Sequence, residues 1–241
     1  MSDALGRPGG PELMSIGMLD LVEQQSLPAP ASSPTRLQSV LEALINQLES
    51  GDLAPGDPLP LSKLTEELRV ASNTVREAIS ILTAWHLVEA RPHKSSVVAT
   101  PTTAWLAAVL AESAGLSSLA ASLAIPRTTP DQRKEFRAAA EEAMLAWKAP
   151  VVDSRRASGM TWNLFQLLAT YSRNQYLAAM HAEKKPALVF GFKYLGRDRN
   201  ATMVCNAIEA LLDAVENNDR HEGADIISDL YVYVLDDLSA G

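Results

Sequence analysis

The stretch SKLTEELRVASNTVREAISILTAWHLVEARPHKSSVVA (62–99) decides the fold. Leu61, Leu64 and Leu68 fall on one helical face and predict a short helix over about Ser62–Leu68. Val75, Ala78, Ile79, Leu82 and Trp85 repeat at spacings of 3 and 4 and predict a second helix over about Ser72–His86. Leu87–Ala90 and Ser96–Ala99 are two short β-prone runs around the polar turn Arg91-Pro92-His93-Lys94-Ser95. Working outward, Val40, Leu41, Leu44, Ile45 and Leu48 mark an earlier helix that Gly51 ends, and Pro55-Gly56 marks a tight turn. The order helix, helix, helix, hairpin over residues 34–100 is that of a winged helix-turn-helix.

Such a module reads double-stranded DNA because an exposed helix about 10–12 Å wide fits the major groove. The second helix of the pair presents its N-terminal residues to base edges. Here those residues are Ser72, Asn73, Thr74 and Arg76, short hydrogen-bonding side chains and one guanidinium. His93 and Lys94 are the wing's candidates for the minor groove or the backbone, and Lys63 is the cation early in the preceding helix. From Arg36 to Val98 there are six basic and eight acidic residues, six minus eight giving a net −2. Affinity for DNA depends on phosphate neutralisation, so few cations predict weak or strongly dimer-dependent binding.

Residues 37–100 resemble the GntR family of bacterial regulators. The resemblance rests on Gly51-Asp52-Leu53-Ala54-Pro55-Gly56-Asp57-Pro58-Leu59, on Leu64 to Val70, on Thr74-Val75-Arg76-Glu77-Ala78-Ile79, on Leu82 to Val88 and on the wing from Arg91 to Val98. It implies a transcription regulator, a homodimer on a palindromic operator. Four positions depart from the family pattern. Arg69 and Ser95 stand where the family has glycine, Ser72 where it has a DNA-contacting arginine, and Lys63 is the nearest replacement for a second arginine. A side chain at Arg69 costs roughly 1 kcal/mol if the position needs positive φ.

After Pro101 the pattern is helical, with predicted helices at about 102–113, 116–124, 130–148, 155–171, 174–183, 186–195, 200–217 and 220–238. The fold class is therefore mainly α: a winged module followed by an all-helical bundle over 101–241 for effector binding and dimerisation. Three stretches resemble the FadR/FCD type of effector domain: Leu119 to Ala124 with Thr128-Thr129-Pro130-Asp131, Phe165 to Leu177, and Ala207 to Asp219. Many such domains hold a divalent metal on one Asp and three His, which suit Zn, Ni or Mn. The resemblance places those ligand positions at Trp162, Gln166, Ile208 and Leu230, none of which can serve, so no metal or other cofactor is expected. His181 and His221 lack partners at ligand spacing and read as solvated or capping residues. Trp162, Gln166, Tyr171 and Tyr231 are the candidate effector-pocket residues, with Trp162 either a plug in the old site or the wall of a repurposed pocket. Tyr176, Tyr233, Lys193 and Arg197 are further candidates.

The bulk numbers bound the rest. Hydrophobic residues are 47% and charged residues 21% of the 241, a globular mix. The single Cys205 permits no intrachain disulfide and reads as core. Residues 1–33 are rich in Pro, Gly and Ser and read as an arm, with a short amphipathic helix within 13–27. By this reading no run approaches the roughly 20 apolar residues of a membrane span, and no basic segment precedes an apolar one at the start. A cytoplasmic protein is expected. The net charge of −8 argues against nonspecific binding of nucleic acid by the whole chain. No nucleophile–base pair, phosphate loop or metal-ligand spacing supports an enzyme. The alternative to an autonomous operator binder is a degenerate regulator that acts through protein contacts or pairs with a paralogue.

Overall fold

The computed structural model describes residues 35–91, 94–196 and 200–239. The expected arm over residues 1–33 lies outside them. Three helices come first: α1 (Arg36–Ser50), α2 (Leu61–Leu68) and α3 (Ser72–Ala84). Thr35 starts α1 with a capping box, its hydroxyl accepting from Gln38 N while Gln38 Oε1 accepts from Thr35 N. Gly51 ends α1 at φ 97°, a left-handed position that costs glycine nothing. Val40, Leu44, Leu64, Val75, Ala78 and Leu82 close a small core between these helices.

The wing is β1 (Val88–Glu89) paired antiparallel with β2 (Val97–Val98), Val88 facing Val98. A third extended segment joins it, unforeseen from the Pro55-Gly56 turn. Pro58 bridges Val97, Leu59 N donates to Ser96 O, and Val98 N donates to Asp57 O. The segment before α2 is thereby fixed to the wing. Helix α3 stops at Ala84, earlier than the pattern implied. His86 takes the left-handed position (φ 63°), and Leu87 N donates to Leu82 O, which turns the chain into β1.

The remainder is helical: α4 (Thr103–Ala124), α5 (Pro130–Trp147), α6 (Ser154–Tyr171), α7 (Gln175–Ala182), α8 (Lys185–Leu195), α9 (Ala201–Glu216) and α10 (Arg220–Ser239). Side-chain caps start most of them: Thr102 for α4, Thr129 for α5, Asp153 for α6, Asn174 for α7 and Asn200 for α9. The break expected at Gly115 is absent, and α4 runs through it. One glycine costs a helix about 1 kcal/mol against alanine. Burial of Leu106, Val109 and Leu110 on one side of it and Ala120, Ala121 and Ala124 on the other outweighs that. Residues 103–127 are also long and apolar enough to cross a membrane, which corrects the sequence reading. In the fold this helix is the centre of the bundle, packed against α6, α7, α8 and α10.

Candidate nucleic-acid interface and bundle cavity

The candidate DNA-reading residues gather at the start of α3. Ser72, Asn73 and Arg76 are exposed and Thr74 half-buried, while Val75 and Ala78 anchor the helix from behind. Ala71 precedes the helix and supplies no side-chain cap. Thr74 N donates to Ala71 O, and no side chain caps the rest of the first turn of α3, the arrangement that favours a phosphate. Arg69 ends α2 at φ 53°, ψ 43°, so the position where the resemblance led us to expect glycine is left-handed. Lys63 stands 3.5 Å from Glu67 in an exposed pair one helical turn apart. Lys94 is exposed at the tip of the wing, and its amide donates to Arg91 O. His93 lies outside the described residues.

Inside the bundle, the positions that the resemblance gave to metal ligands hold a different construction. Trp162, Ile208 and Leu230 are buried apolar side chains. Gln166 is joined to His181, which is fully buried and not solvated as its sequence context suggested. The protons can be placed along this chain. Gln166 Nε2 donates to Ala178 O at 3.3 Å, so its Oε1 faces His181 Nδ1 at 2.8 Å and accepts from it. His181 Nε2 then accepts from Ser117 Oγ at 2.9 Å, and Ser117 in turn accepts from Tyr231 Oη at 3.2 Å. The imidazole is neutral in this scheme, and burial pushes its pKa down to about 4. Burial likewise pushes the Tyr231 hydroxyl up to about 12. Trp162 stacks on the His181 ring at 4.7 Å. With both imidazole nitrogens engaged and no carboxylate in the chain of hydrogen bonds, these residues do not fit a divalent metal. Among the described residues, no three His, Cys, Asp or Glu come together.

Trp162 and Tyr231 line an inner cavity of about 70 Å³ with Leu110, Trp147, Phe165 and Leu230. An outer cleft of about 500 Å³ adjoins it between α6 and α8, with Arg155, Gly159, Lys185 and Val189 in its walls. Ser158, Trp162, Leu188 and Phe192 line both spaces. Gln166 lies behind Trp162 in the polar chain. Tyr171 lines neither space: its hydroxyl donates to Glu135 Oε2 at 2.7 Å. Tyr176 is exposed, and Tyr233 Oη accepts from Asn200 N. Arg197 lies outside the described residues. His221 is exposed, its amide donating to Asp219. Cys205 is buried, and burial raises its pKa.

The winged module is stitched to the bundle by side chains that the sequence pattern did not assign to a seam, Lys193 among them having been a pocket candidate. Lys193, near the end of α8, donates to Glu49 O at 2.9 Å and Leu48 O at 3.3 Å, the open carbonyls that finish α1. Trp105 Nε1 on α4 donates to His86 O at 3.1 Å. His86 Nε2 lies 3.3 Å from Glu112, which also pairs with Lys184. Lys184 holds the Glu112 carboxyl below its usual range. One signal in the sequence did exist for His181: it follows Leu177 by four residues on the inward face of α7.

The comparisons with known proteins agree with this architecture. The family described as "Bacterial regulatory proteins, gntR family" matches residues 37–98, and the FCD domain family matches residues 113–231. No curated protein matches the sequence. Among solved structures, McbR/YncC of E. coli is similar at 21% identity and TM-score 0.63, over 86% of this chain and 98% of its own. A transcriptional regulator GntR from Rhodococcus sp. RHA1 is similar at 18% identity and TM-score 0.63, over 86% of this chain and 98% of its own. Lar, which controls expression of the Listeria monocytogenes agr system, is similar at 13% identity and TM-score 0.54, over 90% of this chain and 99% of its own.

Proposed function

Because the chain belongs to the GntR family of bacterial regulatory proteins and carries an FCD domain, we propose that it is a homodimeric, cytoplasmic regulator that reads an imperfect palindrome and responds to a small molecule. The observation that carries the reading is the start of α3. Its first turn has no side-chain cap, and Ser72, Asn73 and Arg76 are exposed around it. Two copies would place two such helices on half-sites about one helical turn apart, roughly 34–36 Å. A dimer is supported by α4 and α7, which pack together and leave Leu119, Tyr176 and Met180 about half exposed. The effector shifts a population between two spacings of the winged modules. No catalytic role is proposed.

The test is retardation of the protein's own promoter region in a gel at low salt; no shifted band at any concentration overturns the reading. Ser72→Arg restores a guanidinium beside the first turn of α3. It is expected to tighten operator binding and to steepen the salt dependence by about 0.9 in log–log slope, one more phosphate contact. A slope equal to the parent's would remove Ser72 from the interface.

A second reading is favoured by the pairing of Lys63 with Glu67 and by the net −2 of the module. In it the chain acts through a paralogue with which it forms a heterodimer, contributing little DNA affinity itself. Co-purification of a paralogue, with operator binding by the mixture alone, would decide for it.

A further inference from the structure

We propose that α8 is a strut that clamps the winged module to the bundle. Lys193, Trp105 and Glu112 are positioning residues: they set the direction of α3, and so the half-site spacing the protein accepts. The clamp is independent of the regulator reading above; its consequence for spacing rests on that reading.

The module is gripped at two places. The first is the end of α1. That helix has no basic residue in its last turn to meet the negative end of its dipole. Lys193 brings the charge from α8 and places its ammonium on the Glu49 and Leu48 carbonyls. Gly51 makes the seat, since a Cβ there would stand 3.0 Å from Lys193 Nζ. The second grip is the turn between α3 and β1. Trp105 Nε1 donates to the carbonyl of His86, whose left-handed backbone makes that turn. Glu112, on the same helix α4, meets the His86 imidazole. Helix α3 packs on α1 and runs into the second grip, so holding both places fixes its direction.

Both grips are one piece of the bundle. Lys184, at the start of α8, is paired with Glu112, and Lys193 stands in the last turn of α8. The two lysines are nine residues apart, a base about 14 Å long at 1.5 Å per residue. Trp105 packs edge-on against Phe190 at 6.2 Å, and Phe190 against Tyr194 at 5.2 Å, which ties the Trp105 contact to the same helix. Lys193 Nζ stands 5.5 Å from the Tyr194 ring centroid. At Gly191 a Cβ would lie 2.7 Å from Leu106 Cδ1, so α4 and α8 are seated too closely to slide. Contacts at two separated points resist a pivot that a single contact would allow. On DNA, one base pair inserted between half-sites moves them apart by about 3.4 Å and turns one against the other by about 35°. Clamped modules do not follow that change; loosened ones do.

The experiment measures module orientation without DNA and spacing tolerance with it, on the full chain. Spin labels are placed through Glu66→Cys on α2 and Glu141→Cys on α5 in a Cys205→Ala background, and labelled chains are diluted with unlabelled ones. The parent should give a narrow distance distribution. The double variant Trp105→Phe, Lys193→Met keeps an aromatic ring and an unbranched chain but loses both donors, and should broaden the distribution about twofold. Lys193→Arg still donates to the carbonyls and should keep it narrow. Circular dichroism checks the fold, and Lys193→Met alone is read against the same limits. The protein's own promoter fragment is then compared with one carrying a single base pair inserted at the centre of its footprint. The parent should lose about tenfold in affinity and the double variant less than about threefold. A folded double variant with the parent's width overturns the clamp. A parent that tolerates the insertion, or a broadened variant that keeps the parent's discrimination, overturns the role in spacing. Broadening without any promoter binding by the parent overturns the regulator reading and leaves the clamp standing.

Discussion

Arg69 holds a left-handed backbone that glycine adopts freely. Arg69→Gly is expected to raise stability by about 1 kcal/mol, the relief of Cβ strain less the extra freedom glycine gives the unfolded chain. A urea midpoint that fails to rise would show the position to be relaxed. His181 gives a pH signature. Its pKa is near 4 in the fold, against 6.5 for an unperturbed imidazole. Between those values the unfolded chain binds more protons, so stability is full above pH 6.5 and is lost as pH falls toward 4. The difference corresponds to about 3 kcal/mol at 1.36 kcal/mol per unit. His181→Gln removes this titration. The gap between parent and variant urea midpoints should therefore narrow steadily from pH 7 to pH 4; a constant gap would mean the imidazole is not held neutral. Both residues show how far the sequence was legible. The αL demand at Arg69 was visible as a missing glycine. The burial of His181 was masked because its partners, Ser117 and Gln166, are 64 and 15 residues away.

Helix periodicity located nearly every element, and the misses share one cause. The pattern treats each residue alone, while helices α3 and α4 end or continue according to what they pack on. Gly115 does not break α4 because the helix is anchored on both sides of it, with Ser113 and Ser117 fully buried. Gly191 is the opposite case. A Cβ on it would lie 2.7 Å from Leu106 Cδ1 and 2.9 Å from Trp105 Cζ3, so α8 approaches α4 at that point because the side chain is missing. Leu106 is fully buried and Trp105 is held by His86 O, which leaves neither free to retreat. Gly191→Ala gains helix propensity of about 1 kcal/mol but overpacks this seam at a cost of about 1–3 kcal/mol. A net loss of thermal stability is expected; a gain in Tm would mean that the seam has slack.

The chain's candidate site was legible in its residue types and not in its assembly. Trp162 and Tyr231 were marked and do share a cavity, whereas Tyr171 faces Glu135 instead. Lys193 was considered for an acid and instead holds α1, because capping a helix depends on where a distant helix ends. Lys193→Met is expected to cost about 1–2 kcal/mol through two lost charge-assisted hydrogen bonds. Hydrogen exchange should speed up at the amides of the last turn of α1 and the Gly51 turn, with the bundle amides unchanged. Equal protection in parent and variant would show the contact to be idle.

The seam of Lys193, Trp105 and Glu112 is written on the bundle side, while the groups it serves belong to the module. A chimera that joins residues 35–100 to a foreign bundle would leave the Leu48, Glu49 and His86 carbonyls to find new partners. Such a graft transfers the reading head without its bearing, and the three seam residues would have to travel with it.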